Sequence, residues 1–490
     1  MTMTHQPTDI IGTVPAQLFI DGLWSDGEST FPVYDPATGD ELAQVADANA
    51  ADALRAQSAA QSAQAKWSHT SPHDRAQILS RAAQLVRDDR ERLATIMTLE
   101  MGKPLAEARG EVEYAAKFFQ WFAEEAVRIH GNHALSPQSR NHILTVREPV
   151  GPTLLITPWN FPLAMGARKV GPAIAAGCTM VFKPAAQTPL SSVCLAQILD
   201  EAGLPSGVLN LVTTSKAGEV VKPLLEGGAI RKISFTGSTR TGSLLLEQAA
   251  KTIVRSSMEL GGNAPFIVFD DADLETAVDA AMAAKMRNMG EACTAANRIF
   301  VHETVREEFT SRLVARFAEL TVGNGLDEGV DVGSLIDEAG RDKVQHLVDD
   351  AVAKGASVLS GGQPLYSPGT FYQPTILDNV PDDAEILHTE VFGPVAPIIG
   401  FTDETDVVAA ANDTEWGLVG YVITRDSERI NRLMNDLEVG MVGVNTGIVS
   451  DVAAPFGGIK QSGLGREGGH LGIEEFLNHK YIAIPAPGMA

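Results

Sequence analysis

Three side chains of this sequence, taken together, are the parts needed to attack a carbonyl group. Cys293 stands in Arg-Asn-Met-Gly-Glu-Ala-Cys-Thr, Glu259 in Met-Glu-Leu-Gly-Gly-Asn-Ala-Pro, and Asn160 in Thr-Pro-Trp-Asn-Phe-Pro. A cysteine thiolate is a nucleophile, an amide N–H can hold the oxyanion that forms, and a carboxylate can take a proton from water. Each residue type also has an ordinary fate. Free cysteine is usually a small buried hydrophobe, and Cys178, before a strand, and Cys194, on an apolar helix face, fit that fate. Cys293 instead lies beyond a helical stretch, Leu274 to Lys285, beside Gly290 and two alanines, where a loop is expected. Glu259 ends a strand-like run just before Leu260-Gly261-Gly262, and paired glycines let another group approach the backbone closely. Asn160, flanked by prolines, is by default a turn residue. Glu291, two residues before Cys293, is read as structural.

The elements that must position these residues follow an α/β pattern. Leu18 to Ile20 reads as a short strand before an Asp-Gly turn. Ala50 to Trp67, Arg75 to Met101 and Leu105 to Ile129 read as helices, with Ser71-Pro72 as cap and first-turn proline of the second. The residues before Leu18 suggest no regular element. From Val150, short apolar runs at Thr153 to Thr157, Thr179 to Lys183, Val208 to Val212 and Ile233 to Phe235 alternate with helical segments. That alternation implies parallel strands with crossover helices. A second alternating set runs from Pro265 to about Asn435.

With 490 residues the chain exceeds one ordinary core, and 44% hydrophobic with 20% charged residues is a globular composition. The net charge of -24 argues against nucleic acid or an anionic membrane as partner. Three cysteines give neither a disulfide framework nor a metal-ligand spacing, so no metal is expected and a reduced, cytoplasmic setting is the default. Met1 to Leu18 lacks a basic region followed by an apolar core, so no secretory signal is expected. The most apolar stretch, Val150 to Phe182, is interrupted by prolines and charges and does not read as a membrane span.

Read in order, ITPWNFP at Ile156, FKPAAQTP at Phe182, FTGSTRTG at Phe235, MELGGNAP at Met258, GEACTAANR at Gly290, EVFGPV at Glu390 and APFGGIKQSGLGREGG at Ala454 resemble the aldehyde dehydrogenase superfamily. The likeness runs from about Gln17 to Ile484 and is greatest to members that oxidise succinate semialdehyde. It implies a Rossmann-like cofactor domain (1–129 and 150–258), an α/β catalytic domain (259–440) and a β-strand oligomerisation arm (130–149 and 470–490). It also implies a homo-oligomer, dimer or tetramer. In such an enzyme Cys293 adds to the aldehyde, Asn160 and the Cys293 N–H steady the oxyanion, hydride leaves to a nicotinamide, and Glu259 activates water against the thioester.

The cofactor assignments come from the same likeness. Gly237 and Ser238, between a strand and a helix, would face the pyrophosphate, a suitable ligand for a helix N-terminus. Lys183 would contact the adenine ribose, with Trp159 nearby and Glu390 and Phe392 at the nicotinamide end. Members that prefer NAD often carry a glutamate three residues after this lysine; here Ala186 removes that repulsion of a 2′-phosphate, which favours NADP while leaving NAD possible. Arg168, Arg287 and Ser450 occupy the positions that hold the substrate's far carboxylate, whereas the bland reading of either arginine is a salt bridge. Ala295 stands where some members carry the second cysteine of a redox switch. Glutarate semialdehyde or a general aliphatic aldehyde is the rival substrate, and a non-catalytic binding protein the rival of another class.

Overall fold

The computed structural model describes residues 7–365 and 368–486, so the outermost residues of the expected first domain and arm fall outside it. Its centre is an eight-stranded sheet. Leu209–Leu211, Met180–Lys183, Thr153–Ile156, Lys232–Thr236 and Arg255–Glu259 lie side by side in that order, all parallel. Leu18–Ile20 and Leu23–Ser25 close one edge and Gly463–Leu464 the other, both antiparallel. The inner strands are buried on both faces, which is why they read as continuous apolar runs rather than alternating ones.

The strand order places the site. From Thr153–Ile156 the chain winds outward in one direction, then returns to add Lys232–Thr236 on the other side. At such a switch point the loops leaving the strand ends diverge and open a crevice. Trp159 and Asn160 leave one of these strands; Gly237 and Ser238 leave the other.

A second sheet of seven strands runs Ser357–Ser360, Thr375–Asp378, Val395–Phe401, Ala296–His302, Ala264–Val268, Val419–Ile423, Met441–Val444, parallel except for its first member. A third sheet projects as an antiparallel ribbon: Leu477–Pro485 pairs with Asn141–Pro149, which pairs with Asn132–Leu135. No helix among the described residues is long and apolar enough to cross a membrane.

The helices match their sequence signals with two exceptions. Ser71 does accept a hydrogen bond from the Asp74 N–H, with Pro72 in the first position. The stretch expected as one helix to Met101 is two, Pro72–Asp88 and Arg90–Met101. Asp89 breaks it: its carboxylate is held by Arg92 Nε and Nη2 at 2.9 and 2.6 Å, and its backbone leaves the helical ψ. A short helix, Pro7–Ile11, also precedes the first strand where no element was expected.

Two helices that follow the central strands Thr153–Ile156 and Met180–Lys183 have no N-cap side chain of their own. The backbone N–H groups of Leu163 and Ala164, opening Pro162–Ala176, both donate to Glu111 Oε1 at 3.0 Å. Those of Leu190 and Ser191, opening Pro189–Glu201, donate to Glu100 at 2.7 and 2.8 Å. Buried carboxylates from neighbouring helices therefore satisfy the first-turn donors.

Candidate active site

Between the carboxyl ends of the parallel strands of the eight-stranded sheet and the amino ends of Ala264–Val268, Ala296–His302 and Val395–Phe401 in the seven-stranded sheet lies a cavity of about 310 Å³. Cys293, Asn160, Trp159, Gly237, Ser238, Glu390, Phe392, Arg168, Arg287 and Ser450 all line it. Residues up to nearly 300 positions apart in the chain thus meet in one chamber.

Local backbone geometry brings Cys293 there. After the helix Leu274–Met286, the residues Asn288, Met289 and Gly290 all take positive φ, at 53°, 54° and 77°. Position 290 admits glycine alone, because a Cβ would sit 2.2 Å from the Gly393 carbonyl. Left-handed conformations at Asn288 and Met289 are strained and are held by the surroundings. Cys293 is partly exposed, whereas Cys178 and Cys194 are buried. Burial first, then the Glu390 carboxylate, push the Cys293 thiol up to about 12, so the thiol is its resting form.

Asn160 is 5% exposed and is held by both its main-chain carbonyl and its side-chain amide. Its Nδ2 donates to the Glu291 carbonyl at 3.0 Å, which leaves a second amide hydrogen, and its Oδ1 has no partner. Glu259 ends the strand Arg255–Glu259 with neither carboxylate oxygen hydrogen-bonded. It does not line the cavity; it sits behind Leu260 and Gly261, which do, and its Oε1 lies against Gly457. Burial, then the charge of Glu467, hold its carboxyl well above the usual range. That makes it a strong base once ionised.

The two arginines differ. Arg168 is 2% exposed, with Nε 2.8 Å from Glu467 Oε2 and its guanidinium 3.8 Å from the Phe456 ring centroid. Arg287 lies over Phe161 at 4.9 Å and donates to Ser450 Oγ at 3.4 Å. Among the described residues no carboxylate lies within ion-pair distance of it, although its charge acts on the buried Glu107.

At the other end of the cavity Phe392, also at positive φ, meets Trp159 edge-on at 5.4 Å, and Glu390 Oε1 accepts the Gly262 N–H at 3.1 Å. Burial pushes the Glu390 carboxyl up to about 7. Lys183 and Ala186 lie off the cavity. Lys183 ends its strand directly beside Ile156, at the same switch point, and burial brings its amine down to about 8.

Residues 24–482 match the model of the aldehyde dehydrogenase family. This chain belongs to that family. It is 55% identical to a succinate-semialdehyde dehydrogenase of Paenarthrobacter nicotinovorans over 91% of this chain and 99% of that one. It is 49% identical to a glutarate-semialdehyde dehydrogenase of Pseudomonas aeruginosa, over 96% and 97%. Among solved structures, an NADP-dependent enzyme of Escherichia coli superposes with a TM-score of 0.95 at 49% identity, over 96% and 98%. An enzyme family with these relatives rules against the non-catalytic reading.

In this aldehyde dehydrogenase, several residues around the site have no conspicuous sequence signal. One face of the helix Leu105–Ala126 carries Glu107, Glu111 and Tyr114 toward the cavity. Glu107 accepts the Asn288 N–H at 2.6 Å, Glu111 caps the helix after Asn160, and Tyr114 lines the cavity wall. Their spacing of four and three is the available sequence clue. Lys169 and Glu467 form the floor beneath Glu259: Lys169 Nζ binds Glu467 and donates to Ser234 Oγ at 2.9 Å. Against the cost of burial, Lys169 and Arg168 keep the Glu467 carboxyl below the usual range, so the negative charge resides there rather than on Glu259. Glu291 has the structural part assigned to it, since its carbonyl fixes Asn160 and its Oε1 accepts the Ile336 N–H at 3.1 Å.

Proposed function

We propose that this aldehyde dehydrogenase oxidises succinate semialdehyde to succinate, using NADP in preference to NAD. The observation that carries the reading is Arg287: a cation in no direct ion pair among the described residues, beside Ser450, in the chamber that holds Cys293. A guanidinium left unpaired by the protein suits a carboxylate on the substrate's far end, which it can bind bidentately. The relatives' names point to ω-carboxy aldehydes of this kind. Arg168, which Glu467 holds, adds a second positive charge to the lining of the same chamber.

The residues present fit a dinucleotide. The helix Thr239–Ala250 has no acidic residue in its first turn, and Gly237 packs so closely on Phe235 that a Cβ would lie 2.5 Å from the ring. Thr236 Oγ1, on the cavity wall, and Thr157 Oγ1, next to the Lys183 strand, are buried without partners and would satisfy polar groups there. Gly237 and Ser238 would hold the pyrophosphate, Lys183 the adenine ribose, and Trp159, Glu390 and Phe392 the nicotinamide end. Ala186 puts no carboxylate near a 2′-phosphate.

In the reaction, Cys293 Sγ passes its proton to solvent water and adds as the thiolate to the aldehyde carbon. The negative oxygen is met by the free Nδ2 hydrogen of Asn160 and by the Cys293 backbone N–H. When bound, the cofactor supplies the hydride acceptor. Glu259 turns from behind Leu260 toward the chamber and takes the proton of the water that opens the Cys293 thioester.

The same reading divides the chain into a cofactor domain (1–129 and 150–258), a catalytic domain (259–440) and an arm (130–149 and 470–490). It places the enzyme in the cytoplasm as a dimer or tetramer. Asn132–Leu135 is exposed along its whole length, and Leu135, Tyr481, Ile482 and Ile484 present apolar surface that a second copy would cover. The deciding experiment is a panel of succinate semialdehyde, glutarate semialdehyde and butanal, each run with NADP and NAD. The highest kcat/KM for succinate semialdehyde with NADP supports the reading; a preference for glutarate semialdehyde or butanal replaces it.

A further inference from the structure

We propose that Lys103 is the positioning residue of the oxyanion amide: it fixes Asn160 from beneath, and turnover depends on it through Asn160. This rests on the reading of Asn160 as oxyanion donor. Lys103 is 1% exposed and lies in the short link between Arg90–Met101 and Leu105–Ala126, outside the cavity lining. It touches no substrate, cofactor or reacting atom.

Its contacts all converge on one turn. Nζ donates to the Asn160 carbonyl oxygen at 2.8 Å and to Glu111 Oε2 at 2.5 Å, and it lies 4.3 Å from the Phe161 ring centroid. The other oxygen of Glu111 takes the Leu163 and Ala164 N–H groups. The Lys103–Glu111 pair therefore clasps the chain on both sides of Asn160, residue 160 by its carbonyl and residues 163 and 164 by their amides.

A second clasp acts through Asn288. Its Nδ2 donates to the Asn160 carbonyl at 3.2 Å and to the Glu291 carbonyl at 2.9 Å, the same oxygen that receives the Asn160 side chain at 3.0 Å. Main chain and side chain of Asn160 are thus referred to the cysteine loop. Among the described residues, Lys103 supplies the charged side chain that is hydrogen-bonded to Asn160, since Glu291 meets it through its main-chain carbonyl. Removing Lys103 leaves Glu111 buried as an unpaired carboxylate, so the turn is expected to shift rather than merely loosen. A displacement of about 1 Å in such a donor is enough to cost about 10²-fold in rate.

The test is a double-variant cycle on kcat and on the rate of the first hydride transfer, with Asn160→Ala, Lys103→Met and both together. Asn160→Ala alone is expected to slow the reaction about 10²- to 10³-fold; if it does not, the oxyanion reading falls before the Lys103 question arises. Lys103→Met should lower kcat at least about tenfold with the aldehyde KM within about threefold. The double variant should be no more than about threefold slower than Asn160→Ala, because Lys103 acts only through the amide. Losses that multiply in the double variant, or a Lys103→Met enzyme of undiminished kcat, would overturn the proposal. If Lys103→Met does not fold, the same cycle with Lys103→Arg, which keeps the charge but not the ammonium geometry, decides the question by the same two criteria.

Discussion

The two cationic walls of the cavity are built on opposite terms. On the Arg168 side every charge is answered from within: Glu467 receives both Arg168 and Lys169, Ser234 adds a hydroxyl, and Phe456 covers the guanidinium. On the Arg287 side the guanidinium touches an aromatic ring and one hydroxyl, and among the described residues no carboxylate is in ion-pair contact with it. A cation paired inside the protein supports the structure around it, whereas an unpaired one beside a nucleophile is available to a ligand. The difference also sets the electrostatics of catalysis. With Glu467 carrying the charge, Glu259 is left with a raised proton affinity, close to the chemistry but outside the resting chamber.

The contrast has measurable consequences, and the largest belongs to the paired wall. Arg168→Leu strips Glu467 of one of its two cations in a buried setting and should destabilise the fold by about 3–5 kcal/mol, seen as a lower midpoint in urea. A change within experimental error would mean that Arg168 is as free as Arg287. The loss should also lower activity on charged and uncharged aldehydes alike.

Next comes pH. The Cys293 thiol and the Glu259 carboxyl are both shifted upward, so the working thiolate and carboxylate grow as protons are removed. The value of kcat/KM should therefore rise from neutral into alkaline solution, by up to about tenfold per pH unit while a required group remains protonated. A profile that is flat or falls over that range would show that these groups are ionised earlier than their surroundings allow.

The smallest effect is expected at the dinucleotide edge, where residues are held by strand ends rather than by buried charge. Ala186→Glu should reverse the cofactor order by about tenfold in the ratio of kcat/KM for NADP over NAD, since a carboxylate would face the 2′-phosphate in partly solvated surroundings. An unchanged ratio would remove Ala186 from the choice.

How much of this was legible beforehand follows the distance over which each contact forms. The parallel strands and the Ser71-Pro72 helix start are written in local runs and residue types, whereas Asn160, Glu259 and Cys293 are singled out by motifs that resemble a family, and the cavity gathers Asn160 and Cys293 but not Glu259. The clasp on Asn160 is not local. Lys103 and Glu111 lie more than fifty residues before the turn they hold, and neither stands in a pattern that singles it out. Glu467 does lie in the quoted run from Ala454, but nothing in that run tells that it meets Lys169 across 298 positions. The helix break at Asp89 escaped because its cause is an Asp89–Arg92 fork competing with a pattern that stays helical on both sides. Arg168 shows the reverse problem: residue type and position marked it for the substrate, and only the fold reveals that Glu467 already holds it.

The assignment of an anionic-tailed substrate stands most directly on Arg287. The decisive measurement is kcat/KM of the Arg287→Ala enzyme on succinate semialdehyde and on butanal, each relative to the unmodified protein. A loss of at least about tenfold on succinate semialdehyde, as expected from a charge-assisted hydrogen bond, with butanal within about twofold, is the result the unpaired guanidinium predicts. Equal losses on both aldehydes would contradict it and make Arg287 a structural residue like its neighbour across the cavity.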